Sequence, residues 1–190
     1  MPRLSQLAED RPSPATAASV TPRPSRAGWL MRRAVLVCAA VVAVALLPQQ
    51  LVIVRGMSMA PSLRPGQLLF LNRAAYVMAA PRRGDVVVFH HVVQTGEPET
   101  DVVKRVIGVP GDLVRVDTGR VFVNGARLDE PYVRDTDDYT YPQEGGPLRV
   151  PADAYFVLGD NRPISADSHL GWFVPTADVV GEAWALPLAI

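Results

Sequence analysis

The chain has 190 residues, 48% of them hydrophobic, with 19 basic and 19 acidic side chains and a formal net charge of zero. That length buries a real core in one domain once any non-globular part is set aside. The charge is uneven: residues 1–33 carry six Arg against Glu9 and Asp10, leaving the remainder acidic by the same amount, which argues against a nucleic-acid partner and for orientation across a membrane. The only cysteine, Cys38, excludes an intrachain disulfide framework.

In chain order, residues 1–33 read as a disordered tail, because Pro, Ser, Ala and Arg without hydrophobic period cannot offset their ordering entropy. From Ala34 to Leu47 every residue is apolar, Pro48-Gln49-Gln50 interrupts, and Leu51 to Val54 resumes. Fourteen helical residues rise only about 21 Å against a hydrocarbon core of roughly 30 Å. Trp29, Leu30 and Met31 on one side, with Arg32 and Arg33 snorkelling, and Gln49 and Gln50 on the other complete a marginal span, so residues 34–50 are expected to form a transmembrane helix. A cleavable signal peptide with Ala43-Val44-Ala45 as its small-x-small site is the competing reading. The tail is long for such a signal, however, and both alanines lie inside the apolar run. Uncleaved, the Arg-rich end stays in the cytoplasm and residues 51–190 form an extracytoplasmic domain.

Leu51 to Arg55 is a β-branched run, and Gln67 to Asn72, Val86 to His91 and Asp101 to Val109 read as further strands. The loop Thr95 to Thr100 separates the last two. Val114 to Val116 and Arg120 to Val123 pair as hairpin strands with Asn124-Gly125 as a turn cue. Residues 129–147, with Asp135, Asp137, Asp138 and three Tyr, read as an exposed loop, so 113–150 is a small insertion or cap. Ala154 to Leu158 and Val174 to Trp184 close the chain. Many short strands with no helical period imply a mainly β, antiparallel domain.

Between the first two strands, Gly56-Met57-Ser58-Met59-Ala60-Pro61-Ser62-Leu63 reads as a turn, since Gly56 widens the allowed backbone and Pro61 removes a donor. It presents Ser58 as a candidate nucleophile, which needs a base within hydrogen-bond reach. The residues offer two kinds of base: a histidine (His90, His91 or His169, oriented by Asp85 or Asp167), or Lys104. Lys104 is the only lysine beside eighteen Arg, and alternation puts it on the strand face of Val102 and Val106. An amine buried there is driven towards its neutral form.

Taken together, Ser58-Met59 with Pro61 and Leu63, Gly84-Asp85 before Val86 to Phe89, Lys104 to Gly108 with Pro110-Gly111-Asp112, and Gly159-Asp160-Asn161 leading to Ser165, Asp167 and Ser168 resemble the ordered motifs of bacterial type I signal peptidases. The resemblance covers roughly residues 34–184. It implies a Ser/Lys endopeptidase of coiled antiparallel sheets that removes signal peptides from exported preproteins at the outer face of the cytoplasmic membrane. It also implies a monomer, bound to the phospholipid membrane, needing no cofactor or metal. By the same resemblance Ser58 is the nucleophile and Lys104 the general base, and Ser165 hydrogen-bonds the lysine amine. Asp160 and Asn161 hold the nearby turn, Asp167 ties down the segment bearing Ser165, and the backbone N–H of Ser58 forms the oxyanion hole, since Gly56 stands where some members carry a second hydroxyl. Val52, Val54, Met59, Leu63, Val102 and Val103 line shallow pockets for small side chains, which explains cleavage after Ala-x-Ala. Two positions depart from the pattern: Ser62 replaces a more frequent Thr, and His169 stands where an Arg usually partners Asp167, leaving that ion pair open. A self-cleaving repressor-type protease shares the dyad but wants a soluble DNA-binding amino terminus. An inactive membrane-anchored β module is the remaining alternative.

Overall fold

The structure, a computed structural model, describes residues 26–45, 49–91, 100–136 and 138–186. The chain before Arg26, the Pro48 break, most of the Thr95 to Thr100 loop and Asp137 lie outside the described residues. The chain divides into two compact units, Met1–Leu46 and Leu47–Ile190.

In the first unit, helix α1 runs from Arg26 to Ala45. It starts earlier than the apolar run, and within that extension the Arg33 guanidinium lies over the Trp29 ring, 3.7 Å from its centroid, one helical turn away. The expected helix over 34–50 is therefore shifted: Arg26 to Arg33 are helical, and Gln49 and Gln50 already belong to the first strand. No helix among the described residues is long and apolar enough to cross a membrane.

The second unit is mainly β and antiparallel. Its larger sheet is built from β1 (Gln49–Ile53), β2 (Leu68–Asn72), β3 (Val86–His91), β4 (Thr100–Gly108), β9 (Ala154–Leu158), β10 (Val174–Pro175) and β11 (Val179–Ala185). Their order across the sheet is β1-β2-β11-β3-β4-β9-β10. The smaller sheet, in the order β7-β6-β5-β8, joins β5 (Leu113–Asp117), β6 (Arg120–Val123), β7 (Ala126–Arg127) and β8 (Leu148–Arg149). Asn124 (φ 53°) and Gly125 (φ 84°) both take positive φ between β6 and β7, as a tight hairpin turn requires.

At β3 both faces of the large sheet are covered, which is why this strand reads as an unbroken apolar run rather than an alternation. Val88 packs with Val54, Met59, Leu63, Leu69 and Leu71 on one side. Val87 and Phe89 pack with Val106, Tyr155 and Val157 on the other. A third cluster, including Ile107, Val114, Val116, Phe156 and Leu158, cements the small sheet onto β4 and β9.

One sequence expectation is corrected here. Residues 129–147 do carry little strand, but they are not simply an exposed loop: Tyr139 and Tyr141 pack against that third cluster, and Tyr141 bridges to Val116. Large aromatic rings gain more by covering the sheet than by remaining in water.

Candidate active site

The turn bearing Ser58 is fixed from below and from one side. Below, Val54 N donates to Gln67 O (2.9 Å), and Leu63 N donates to Met59 O (2.8 Å), which turns both side chains into the core. Laterally, Asn161 N donates to Ser58 O (2.9 Å), and its side-chain Nδ2 donates to Met57 O (3.1 Å). Asn161 thereby holds the backbone on both sides of the nucleophile's Cα.

Lys104 arrives from β4, where it pairs with Val87 of β3. Its Nζ donates to Ser58 Oγ at 2.6 Å, and the residue is only 3% exposed. Burial holds this amine below the ordinary lysine value, with the negative charges of Asp167 and Asp160 pulling partly the other way. Asp160 does not pair with Lys104. Its two oxygens accept from Arg105 Nε (2.9 Å) and Nη2 (2.6 Å), a bidentate fork that answers the buried carboxylate.

Asp167 Oδ2 accepts from Gly159 N (2.9 Å), and its Oδ1 lies 2.7 Å from His169 Nδ1. The contact left open by the absence of an arginine is thus made by the shorter histidine. Ser165 differs from expectation: its Oγ is buried and has no hydrogen-bond partner among the described residues, so the bond to the Lys104 amine is not formed here. The amine is directed at Ser58 instead. Ser165 Oγ lies against the Cα of Gly159, where a methyl group would collide with it and with the Ser58 carbonyl.

None of the histidines is the described partner of Ser58. His90 Nδ1 lies 2.8 Å from Asp101 Oδ1, His91 stacks on Trp172 with centroids 4.2 Å apart, and His169 is held by Asp167. Asp85 orients no imidazole; its Oδ2 accepts from Tyr76 OH (3.1 Å) and Arg82 N (2.8 Å).

A cleft of about 950 Å³ opens beside Ser58 and is lined by Val52, Val54, Met59, Val102 and Val103. Leu63 is the exception among the expected pocket residues: it does not reach the cleft and sits 5% exposed in the core beneath it. Arg55, His90 and Asp101 also line the cleft. Reading along the chain names His90 only as a candidate base and misses Arg55 and Asp101, because they share no local pattern with the apolar lining. Chemically, a hydroxyl touching a buried, deprotonatable amine at the edge of an apolar cleft can carry out nucleophilic acyl transfer.

Comparison with known proteins gives the family. The family described as "Signal peptidase, peptidase S26" matches residues 26–186. A signal peptidase I from Leptolyngbya laminosa is 42% identical over 130 residues, covering 66% of this chain and 62% of that protein, so the chain spans less than two thirds of its length. One from Bacillus caldolyticus is 40% identical over 140 residues, covering 68% and 74%. A crystal structure of a signal peptidase I from Enterococcus faecalis is 36% identical and covers 54% of this chain and 95% of that one, with a TM-score of 0.43. With the family match running from the start of α1 to the end of β11, the chain belongs to the signal peptidase family, peptidase S26.

Proposed function

We propose that this chain is a membrane-bound serine endopeptidase that removes amino-terminal signal peptides from exported preproteins after small-x-small sites. The observation carrying this reading is the 2.6 Å contact between Lys104 Nζ and Ser58 Oγ in a buried setting. Neutral Lys104 turns its lone pair to the Ser58 hydroxyl and takes the proton as Oγ attacks the scissile carbonyl. The Ser58 N–H faces the oxyanion. Lys104 then returns the proton to the departing amine, and a water activated by the same amine hydrolyses the acyl-Ser58 ester. When Ser58 engages substrate, the unpartnered Ser165 hydroxyl is the group that can receive the Lys104 N–H, while Asp160, Asn161 and Asp167 keep the surrounding backbone in place.

Sheet topology supports an extended substrate. β1 pairs with β2, and Thr100 to Lys104 pair with β3, while β9 meets β4 only from Arg105 onward. Among the described residues, two strand edges bordering the cleft are therefore unpaired, and a preprotein segment can add there as a strand with alternate side chains facing Val54, Met59 and Val103. We assign α1 and the apolar residues after it to a single-pass anchor in a bacterial cytoplasmic membrane, with the amino terminus inside, the peptidase unit outside and the chain acting as a monomer.

Incubating the detergent-solubilised chain with a preprotein, beside a Ser58→Ala control, tests the reading. Cleavage after a small-x-small site in the wild type alone is expected. No cleavage by a folded wild type would leave the inactive β module, and self-cleavage without preprotein processing would leave the repressor-type protease.

A further inference from the structure

A buried polar network joins the segment between β7 and β8 to the catalytic turn. Asp129, Asp135 and Asp138 in that segment are exposed, whereas the Glu130 side chain is only 10% exposed. Its Oε1 accepts from Arg162 Nη2 at 2.5 Å, its Oε2 accepts from Nη1 at 3.3 Å, and Oε1 also accepts from Tyr132 OH at 3.1 Å. The Arg162 side chain, 1% exposed, turns its Nε to Gly159 O at 3.0 Å. Gly159 is thus held at both ends, its N–H by Asp167 and its carbonyl by Arg162. Its Cα presses on the Ser58 carbonyl and the Ser165 hydroxyl so closely that no side chain fits. Tyr132 reaches the same region by a second route: Arg105, which grips Asp160, lies over the Tyr132 ring at 4.0 Å.

Resting on the peptidase reading above, we propose that Glu130 is a positioning residue for the Ser58–Lys104 pair, acting through Arg162 and Gly159. A guanidinium this deeply buried needs a carboxylate, and without one it must rotate or admit water. Either change releases the Gly159 carbonyl and frees the wedge that sets the Ser58 backbone. A displacement near 1 Å at a nucleophile can slow turnover by about a hundredfold without altering how the rest of the substrate is held. The loss therefore falls on kcat and leaves KM in place.

The test compares the full chain in detergent as wild type, Glu130→Gln, Arg162→Lys and the double variant on one preprotein, well below each variant's thermal midpoint. Both single variants should lose about ten- to a hundredfold in kcat with KM within twofold, and the double variant should be no slower than the worse single one. Tyr132→Phe removes one hydrogen bond to Glu130 while keeping the ring over Arg105. It should cost about threefold in kcat, which keeps the inference testable if a charge variant fails to fold. A folded Glu130→Gln, or Tyr132→Phe where Glu130→Gln does not fold, with wild-type kcat overturns the proposal, as do single losses that multiply in the double variant or a loss confined to KM. A wild type that cuts no better than Ser58→Ala sinks the peptidase reading itself, an outcome distinct from active wild type beside equally active Glu130→Gln.

Discussion

At the residue scale the proposed catalysis turns on one amine. An unperturbed lysine at pH 8 is neutral in only about one molecule in 250, so a base at Lys104 depends on the burial that lowers its pKa. Cleavage should accordingly rise through mildly alkaline pH, with its controlling ionisation below the ordinary lysine value of 10.5. Lys104→Arg should be as inactive as Lys104→Ala, because guanidinium keeps its proton at these pH values. A pH–rate profile from 6 to about 11 checks both, and turnover by Lys104→Arg well above the Ser58→Ala background would remove Lys104 as the base. The same shift acts on stability with a definite sign. Between the folded and unfolded ionisations the unfolded chain holds the extra proton, so stability gains from this site as pH rises and the penalty is complete below the folded pKa. Lys104→Met should therefore be more stable than wild type at pH 6 by denaturant unfolding, and the gap should narrow towards pH 10. His169 belongs to the other category of residue. It answers the buried Asp167 at 2.7 Å and touches neither Ser58 nor Lys104 in any described contact, so His169→Ala should lower stability by about 1–3 kcal/mol. His169→Arg should keep near-normal turnover, and loss of turnover in both variants with the fold intact would revive a histidine mechanism.

At the scale of elements, the cleft wall and the core beneath it belong to one apolar cluster, of which some members reach the cleft and others do not. Met59 lines the cleft and Leu63, one hydrogen-bonded turn later, lies under it. Leu63→Ala should thus cost about 2–4 kcal/mol of stability and leave the choice between Ala and Phe at the first position before the cut unchanged. Val103→Ala, on the cleft face of β4, should instead relax the rejection of Phe. Competition between two preproteins differing only at that position measures the ratio, and a shift in the Leu63 variant with none in the Val103 variant would reverse the assignment. The distinction also marks where sequence reading stops. Strands such as Val86 to His91 and the Asn124-Gly125 turn are legible because their signals are local: β-branched runs, glycine and proline punctuation, a two-residue hairpin cue. Lys104 was legible as a buried amine from alternation alone. The contacts that make a site of it are not local. Ser58 and Lys104 are 46 residues apart, Asn161 and Met57 are 104 apart, and Glu130 and Arg162 are 32 apart. No periodicity encodes such pairings: the residues offer Lys104 only as one of two kinds of base for Ser58, and the ordered motifs of a family favour it over the histidines. Ser165 was legible as a site residue, but its missing partner was not, because that depends on where the Lys104 amine points.

At the scale of the whole molecule, charge and hydropathy along the chain favour the proposed orientation. In α1, Arg26, Arg32 and Arg33 precede the apolar stretch Ala34 to Ala45, and that stretch carries no charged side chain. It rises only about 18 Å, so crossing the bilayer requires the apolar residues beyond Ala45, snorkelling by Arg32 and Arg33, or local thinning. Arginines placed before an apolar segment favour retention of that end in the cytoplasm, which sends everything after it to the far side. The expected topology puts Ser58 and Lys104 outside. Protease added to intact spheroplasts should then degrade the unit from Leu47 onward, while a tag placed before Arg26 stays protected until the membrane is opened. Replacing Arg26, Arg32 and Arg33 by Ala should weaken this bias and give a mixed pattern, because the tail's remaining arginines lie farther from the apolar stretch. Full protection of the carboxy-terminal unit in the wild type would overturn the orientation. Release of the whole chain into the soluble fraction by carbonate at high pH would overturn the anchor itself.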